Sequence, residues 1–266
     1  MTRVLMIGDS NAARLVNAMR EVFAGAGAED PALDGIVFDP VCATGPVAGK
    51  LRIRDGMLRL GPKPAKWNHY RLTEDHVDAL YSVAAAQIAA LAPDGAVPLG
   101  GYDLVLAFGG WLVRDWPIVA RAQAAGSWSA ACLDQLAADR LAASGHVQWL
   151  GGASRSGEGL PRILSLPEPL RNELAPDYLP DAAAKALDFP AAFACLRRAG
   201  ARMGLEIVPL PPELLNAAGN ATAARFRRGQ GADFGHLNNE GSMIYLHHIL
   251  SLLRDRTGMS LPEAAS

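Results

Sequence analysis

A serine hydroxyl becomes a nucleophile when a base takes its proton, and the base works best when a carboxylate orients it. This sequence carries those three residue types in two short blocks at opposite ends. Near the start, the apolar run Val4-Leu5-Met6-Ile7 stops at Gly8-Asp9-Ser10-Asn11, and Leu15, Val16, Met19, Val22 and Phe23 then recur at helical spacing. Ser10 therefore stands between a strand and a helix. Two readings are open there: a helix N-cap, since Asp, Ser and Asn are all favoured caps, or a nucleophile at a strand end. The far block reads Asp233-Phe234-Gly235-His236-Leu237-Asn238-Asn239-Glu240-Gly241. Asp233 and His236 are three residues apart in a glycine-containing loop, a separation that lets the loop fold the carboxylate back onto the imidazole. Alone, this pair could simply cap the last helix. With Ser10, it suggests a nucleophile, a general base (His236) and an orienting acid (Asp233).

The elements that must position these groups alternate along the chain. Arg3 to Ile7 reads as a buried strand and the following periodic stretch as a helix, stopped at Gly25-Ala26-Gly27. Ile36-Val37-Phe38 begins a second strand that runs through Pro40 to a loop at Gly45-Pro46. Leu51 to Leu60 folds about Asp55-Gly56 as a hairpin, with Arg52, Arg54, Arg59, Lys63 and Lys66 on a solvated face. Thr73 caps a long Ala-rich helix that ends near Pro93, and a loop covers Gly95 to Gly101. Tyr102 to Phe108 is a third strand, Trp128 to Ala143 a helix and Val147 to Leu150 a fourth strand. Proline-rich residues 157–180 read as irregular. Phe189 to Met203 is helical, Leu205 to Leu210 a fifth strand, and Ser242 to Arg254 a terminal helix. Such alternation predicts a mostly parallel sheet with helices on both faces and ligands at the carboxyl ends of its strands. Ser10, Gly45, Gly109 and Ser154 all follow predicted strands.

An N-terminal Gly-Asp-Ser after the first strand, with Asp-x-x-His followed by Leu-Asn and then Gly near the C-terminus, resembles the SGNH (GDSL-type) hydrolase superfamily. The resemblance runs from end to end in motif order through these two blocks. It implies an α/β, flavodoxin-like three-layer α/β/α sandwich with a mostly parallel sheet of about five strands. The hairpin at about 50–61 and the irregular excursion at about 154–181 then belong to one domain, 1–266. It implies esterase-type chemistry, with Ser10 as nucleophile, His236 as base and Asp233 as its partner. It also implies an oxyanion hole built from the nucleophile's N–H, a glycine after the second strand and an asparagine after the third. Gly45 suits the glycine, with Gly49 a second choice. The third block departs from the pattern: Gly109-Gly110-Trp111-Leu112 puts Trp111 where the asparagine belongs. An indole donates one hydrogen bond but is a poor isostere. Either the Gly110 N–H donates instead, or Asn11 turns inward, or the enzyme is slow, since one missing donor costs about 10²–10³ in turnover.

The expected function is hydrolysis of a small acyl ester, with an O-acetyl group on a sugar among the candidates, through an acyl-enzyme. Two rivals stand beside it: transfer of the acyl group to a carbohydrate or metabolite hydroxyl, and a non-catalytic carbohydrate-binding or interaction protein, which Trp111 favours. Trp111 and Trp116 could also wall an acyl or sugar pocket. No metal or organic cofactor is required. The partner expected is a small-molecule ester or acylated carbohydrate.

Bulk properties narrow the rest. The chain has 266 residues, half of them apolar, and a formal net charge of −2 from 25 basic and 27 acidic side chains. Long like-charge blocks are missing, which argues against nucleic acid or an anionic membrane as partner. Three widely spaced cysteines, Cys42, Cys132 and Cys195, suggest neither a disulfide framework nor a zinc site. No apolar run approaches the roughly 18 residues of a membrane span, and the first apolar run is too short for a signal peptide. The expectation is a cytoplasmic protein.

Overall fold

The computed structural model describes residues 2–24, 32–33, 36–65, 72–109, 112–143, 161–167, 189–217, 219, 221–228 and 236–257. Its centre is β1 (Thr2–Gly8), whose residues Val4 to Gly8 are buried on both sides of the sheet. That is the burial a central parallel strand requires. The strand leads into α1 (Ser10–Ala24). A two-residue strand β2 (Ala32–Leu33) pairs antiparallel with β3 (Ile36–Cys42), which lies parallel to β1. Pro40 sits inside β3 opposite Met6. The Ala43 N–H donates to Gly8 O on the β1 side and the Cys42 N–H to Gln87 Oε1 on the other. Pro40 shares the parity of Cys42, so its missing N–H falls on the side that β2 leaves open.

The hairpin expected around Asp55-Gly56 forms from β4 (Leu51–Arg54) and β5 (Met57–Leu60). Asp55 and Gly56 have φ of 52° and 70°, the two positive values that a type I′ turn needs. It is more than a surface ribbon. Leu51, Ile53 and Leu58 are buried, and β6 (Ala96–Pro98) joins β5 to make a three-stranded sheet. Residues 96–98 therefore correct the loop expected over Gly95 to Gly101; the strand is short enough to hide between turn residues. Arg52, Arg54 and Arg59 do occupy the exposed face. Between the two sheets runs α2 (Glu74–Leu91), capped by Thr73, whose hydroxyl accepts from the His76 N–H.

The main sheet continues through β7 (Leu104–Phe108), parallel to β1, into α3 (Leu112–Ala124) and α4 (Ala130–Ala143). Helix α3 has no counterpart in the sequence expectation, because Pro117 sits inside it and removes an N–H from the ladder. Burial of Trp116, Val119 and Ala120 offsets that loss. Next comes β8 (Arg162–Leu166), parallel to β7, with four of its residues buried. This corrects the irregular excursion at about 154–181: Arg162-Ile163-Leu164-Ser165-Leu166 is a core strand set between Pro161 and Pro167. The strand expected at 147–150 and Ser154 lie outside the described residues. Helix α5 (Phe189–Arg202), strand β9 (Glu206–Ile207) and helix α6 (Asn239–Thr257) complete the chain order.

The sheet order is β2-β3-β1-β7-β8-β9, so the five parallel strands run second, first, third, fourth, fifth. This is the flavodoxin-like doubly wound α/β arrangement, with helices flanking the sheet. Helices α1 and α6 pack on each other, and α3, α4 and α5 form a second group.

All three cysteines are free, Cys132 exposed and the other two buried. Burial, with the Asp9 charge nearby, pushes the Cys42 thiol up to about 12. Only thiolates react quickly with disulfide reagents. In mildly alkaline buffer Ellman's reagent is therefore expected to titrate Cys132 rapidly, and Cys42 and Cys195 only after denaturation. Rapid reaction of a second thiol in the native protein would contradict this packing.

Candidate active site

In a sheet of this order the strands change direction of progression between β1 and β7, and the crevice at their carboxyl ends is where ligands settle. Ser10 follows β1 directly. The cap of α1 is Asp9, one residue earlier: its carboxylate accepts the Asn11 N–H at 2.8 Å, and its carbonyl accepts the Ala13 N–H at 3.1 Å. Because Asp9 satisfies the helix end, the Ser10 hydroxyl is not needed for capping.

Gly8 lets the turn lie flat on the sheet. A Cβ there would meet Ala12 Cβ at 2.4 Å and Phe108 O at 2.6 Å, so α1 can begin this close to β7 only above a glycine.

His236 is brought to Ser10 by the chain preceding α6. Its carbonyl accepts the Arg228 N–H at 3.1 Å, and Leu237 bridges antiparallel to Arg227. Asn238 then fastens the helix start. Its N–H donates to Phe226 O, its Nδ2 to Arg225 O, and its Oδ1 accepts from the Gly241 N–H at 2.9 Å. Gly241 lies where a Cβ would come within 3.0 Å of Phe226. Farther along α6, the buried Tyr245 hydroxyl donates to Pro167 O at 2.6 Å and its ring leans on Phe108, 5.2 Å between centroids. Helix α6 is thus tied to the ends of β8 and β7, and α1 packs against it.

As a result Ser10 Oγ and His236 Nε2 are hydrogen-bonded at 2.8 Å across 226 residues of sequence, and Ser10 is half-buried. That distance is within the reach a general base needs from the proton it abstracts. Asp233, Gly110 and Trp111 lie outside the described residues.

Gly45 opens the turn after β3, on the same sheet edge. Cys42 is in register with Gly8, and Gly45 has φ of +54°, a left-handed conformation that favours glycine. Gln87 of α2 fixes this turn through the Cys42 N–H at 2.7 Å. Gly49 lies at the other end of the same turn, and its carbonyl accepts from Arg52. Asn11 is buried at 7 % exposure on the second residue of α1. Gly109 directly follows β7 with φ of +147°, and its N–H donates to Leu166 O.

Trp116 corrects an expectation. It is 5 % exposed and packs against Phe193 at 5.0 Å, in the contact between α3 and α5, so it belongs to the core and not to a pocket wall. Trp128 is 46 % exposed. His247 is exposed, and His248 bonds Pro209 O at 3.0 Å. Among the described residues no group of three His, Cys, Asp or Glu side chains could hold a metal ion. No helix among them is long and apolar enough to cross a membrane.

Sequence reasoning missed Asp9 as the cap, Gly8 as a contact point and Gln87 as the support of the Gly45 turn. The first was legible in principle, since an Asp two residues before an amide is an ordinary capping signal. The other two depend on contacts between distant segments.

The fold and site define a doubly wound α/β protein with a serine–histidine pair at the carboxyl edge of its sheet. No family model matches the chain, and no curated protein matches it. Three solved chains match it. One is the periplasmic domain of a lipopolysaccharide acetyltransferase from Salmonella ser. Paratyphi A, 16% identical, with 94% of this chain and 83% of that one covered at a TM-score of 0.38. Another is a candidate acylhydrolase from Bacteroides fragilis NCTC 9343, 12% identical, with 96% and 88% covered at a TM-score of 0.40.

Proposed function

We propose that this chain is a serine esterase of the SGNH type that hydrolyses a small acyl ester, an O-acetyl group on a carbohydrate being one candidate substrate. The observation that carries the reading is the 2.8 Å contact between Ser10 Oγ and His236 Nε2, on the sheet edge where ligands bind. His236 Nε2 takes the hydroxyl proton as Ser10 Oγ bonds to the ester carbonyl carbon. The oxyanion so formed rests on the N–H groups of Ser10 and Gly45, with the α1 N-terminus favouring its charge. Collapse breaks the bond to the alcohol oxygen, which leaves with the proton held by His236. Water then attacks the acyl-enzyme, giving its proton to His236 and releasing the acid and the Ser10 hydroxyl. Asp233 is assigned as the carboxylate that orients the imidazole, and Gly110 or Asn11 as the further oxyanion donor in place of Trp111.

Transfer to a sugar hydroxyl uses the same first half, and product analysis with and without an acceptor separates the two outcomes. We assign the protein to the cytoplasm, without a cofactor. The deciding experiment is labelling with a fluorophosphonate probe followed by peptide mapping. Modification of Ser10 in the native protein and not in urea is expected; a folded protein that stays unlabelled would sink the assignment in favour of a non-catalytic binding protein.

A further inference from the structure

The least buried stripe along the start of α1 carries Ser10, Ala13, Arg14 and Asn17, while Ala12, Leu15, Val16 and Met19 face the core. Arg14 thus shares the side of the helix that presents Ser10, four residues and about one turn farther on. Side chains on a helix lean toward its N-terminus, so a residue covers the turn before its own Cα. For Arg14 that is the Ser10 turn. Its Nε is buried and has no hydrogen-bond partner, although the residue as a whole is only partly shielded. Among the described residues no carboxylate is bonded to it. A guanidinium edge in that condition is unfavourable in the free protein, because a buried donor left without an acceptor loses the water it had when unfolded. Elsewhere in the molecule Arg198 grips Asp134 through both Nε and Nη2. The Nε of Arg14 has no such acceptor, and a guanidinium can present it together with a neighbouring Nη as a planar fork.

We propose that Arg14 is a specificity-determining residue that receives a carboxylate of the ester substrate, placed about one helical turn from the carbonyl that Ser10 attacks. The planar fork favours a planar bidentate acceptor, hence a carboxylate over a tetrahedral anion. The inference rests on the esterase reading above, and it narrows the substrate to acyl esters bearing an acidic group.

Two measurements test it, one of which needs no turnover. The first compares kcat/KM for mono(4-nitrophenyl) succinate and the neutral 4-nitrophenyl butyrate. The acidic ester is expected to be preferred by roughly 10- to 100-fold, as a charge-assisted pair provides, with the ratio falling toward one in Arg14→Gln and only partly restored in Arg14→Lys. The second titrates the Ser10→Ala protein with monomethyl succinate by calorimetry. Saturable binding that Arg14→Gln abolishes, and that neutral dimethyl succinate does not compete for, is expected. Equal binding of the neutral diester, indifference to Arg14→Gln, or inorganic phosphate displacing the half-ester would overturn the proposal. If both nitrophenyl esters go unhydrolysed, the esterase reading fails, and the calorimetry still decides the role of Arg14. An Arg14→Met protein gives a control on folding: relieved of the orphaned donor, it is expected to melt no lower than the parent, and a clear drop in Tm would contradict the unfavourable burial on which the argument stands.

Discussion

Ser10→Ala is expected to lower turnover of a 4-nitrophenyl ester by about four to six orders of magnitude, the loss seen when a hydrolase forfeits its nucleophile. What gives this experiment its resolving power is Asp9. Were Ser10 the helix cap, alanine would cost about 1 kcal/mol and lower Tm visibly. Because the Asp9 carboxylate already holds the Asn11 N–H, Ser10→Ala leaves α1 capped. Its Tm is expected within about 2 °C of the parent. Asp9→Ala should show the opposite pattern in stability, losing roughly 0.5–2 kcal/mol through the helix end. Differential scanning fluorimetry beside a rate assay reads both. Retention of turnover by Ser10→Ala would remove Ser10 from the chemistry altogether.

The second large effect is expected at Gly8. Its added methyl in Gly8→Ala would face Ala12 Cβ at 2.4 Å and Phe108 O at 2.6 Å, distances real Cβ atoms do not keep, and neither neighbour is the tip of a flexible side chain. Relief requires α1 to lift from β7, and Ser10 sits on that first turn. Overpacking of this kind costs about 1–3 kcal/mol. A displacement near 1 Å at a reacting group costs about 10²-fold in rate. Gly8→Ala is therefore expected to keep a folded structure with lowered Tm while losing roughly 100-fold or more in kcat. Removing the nearer obstacle with Ala12→Gly should recover part of the rate in the double variant, although alone that substitution weakens the helix. An unaltered kcat in Gly8→Ala would show that the first turn has more room than the structure gives it.

Legibility in the sequence followed the range of the interactions. Ser10 and His236 could be read because each stands at the end of an element whose apolar periodicity is strong, and because their chemistry demands a partner. The β4–β5 hairpin was legible since Asp55-Gly56 encodes its own φ values. By contrast, Ile163-Leu164-Ser165-Leu166 is a mostly apolar run of strand length, but Pro161 and Pro167 and the proline-rich residues around them disguised it. Ser165 is fully buried there, which only the neighbouring strands can bring about. Helix α3 was hidden by Pro117, whose local penalty is outweighed by the packing of Trp116 on Phe193, a contact between residues far apart in sequence. Gly8 and Gln87 carried no local signal of their roles. What a glycine must make room for, or which amide a glutamine receives, is set by the segment that arrives opposite.

The hydrogen bond between Ser10 and His236 has a temporal side as well. A ribosome adding about 5–20 residues per second makes the serine first and needs roughly another 11–45 s to reach its histidine, 226 positions later. Throughout that interval the nascent chain holds Ser10 without His236, so the pair, and any activity that depends on it, cannot form before the last helix has been made and has docked.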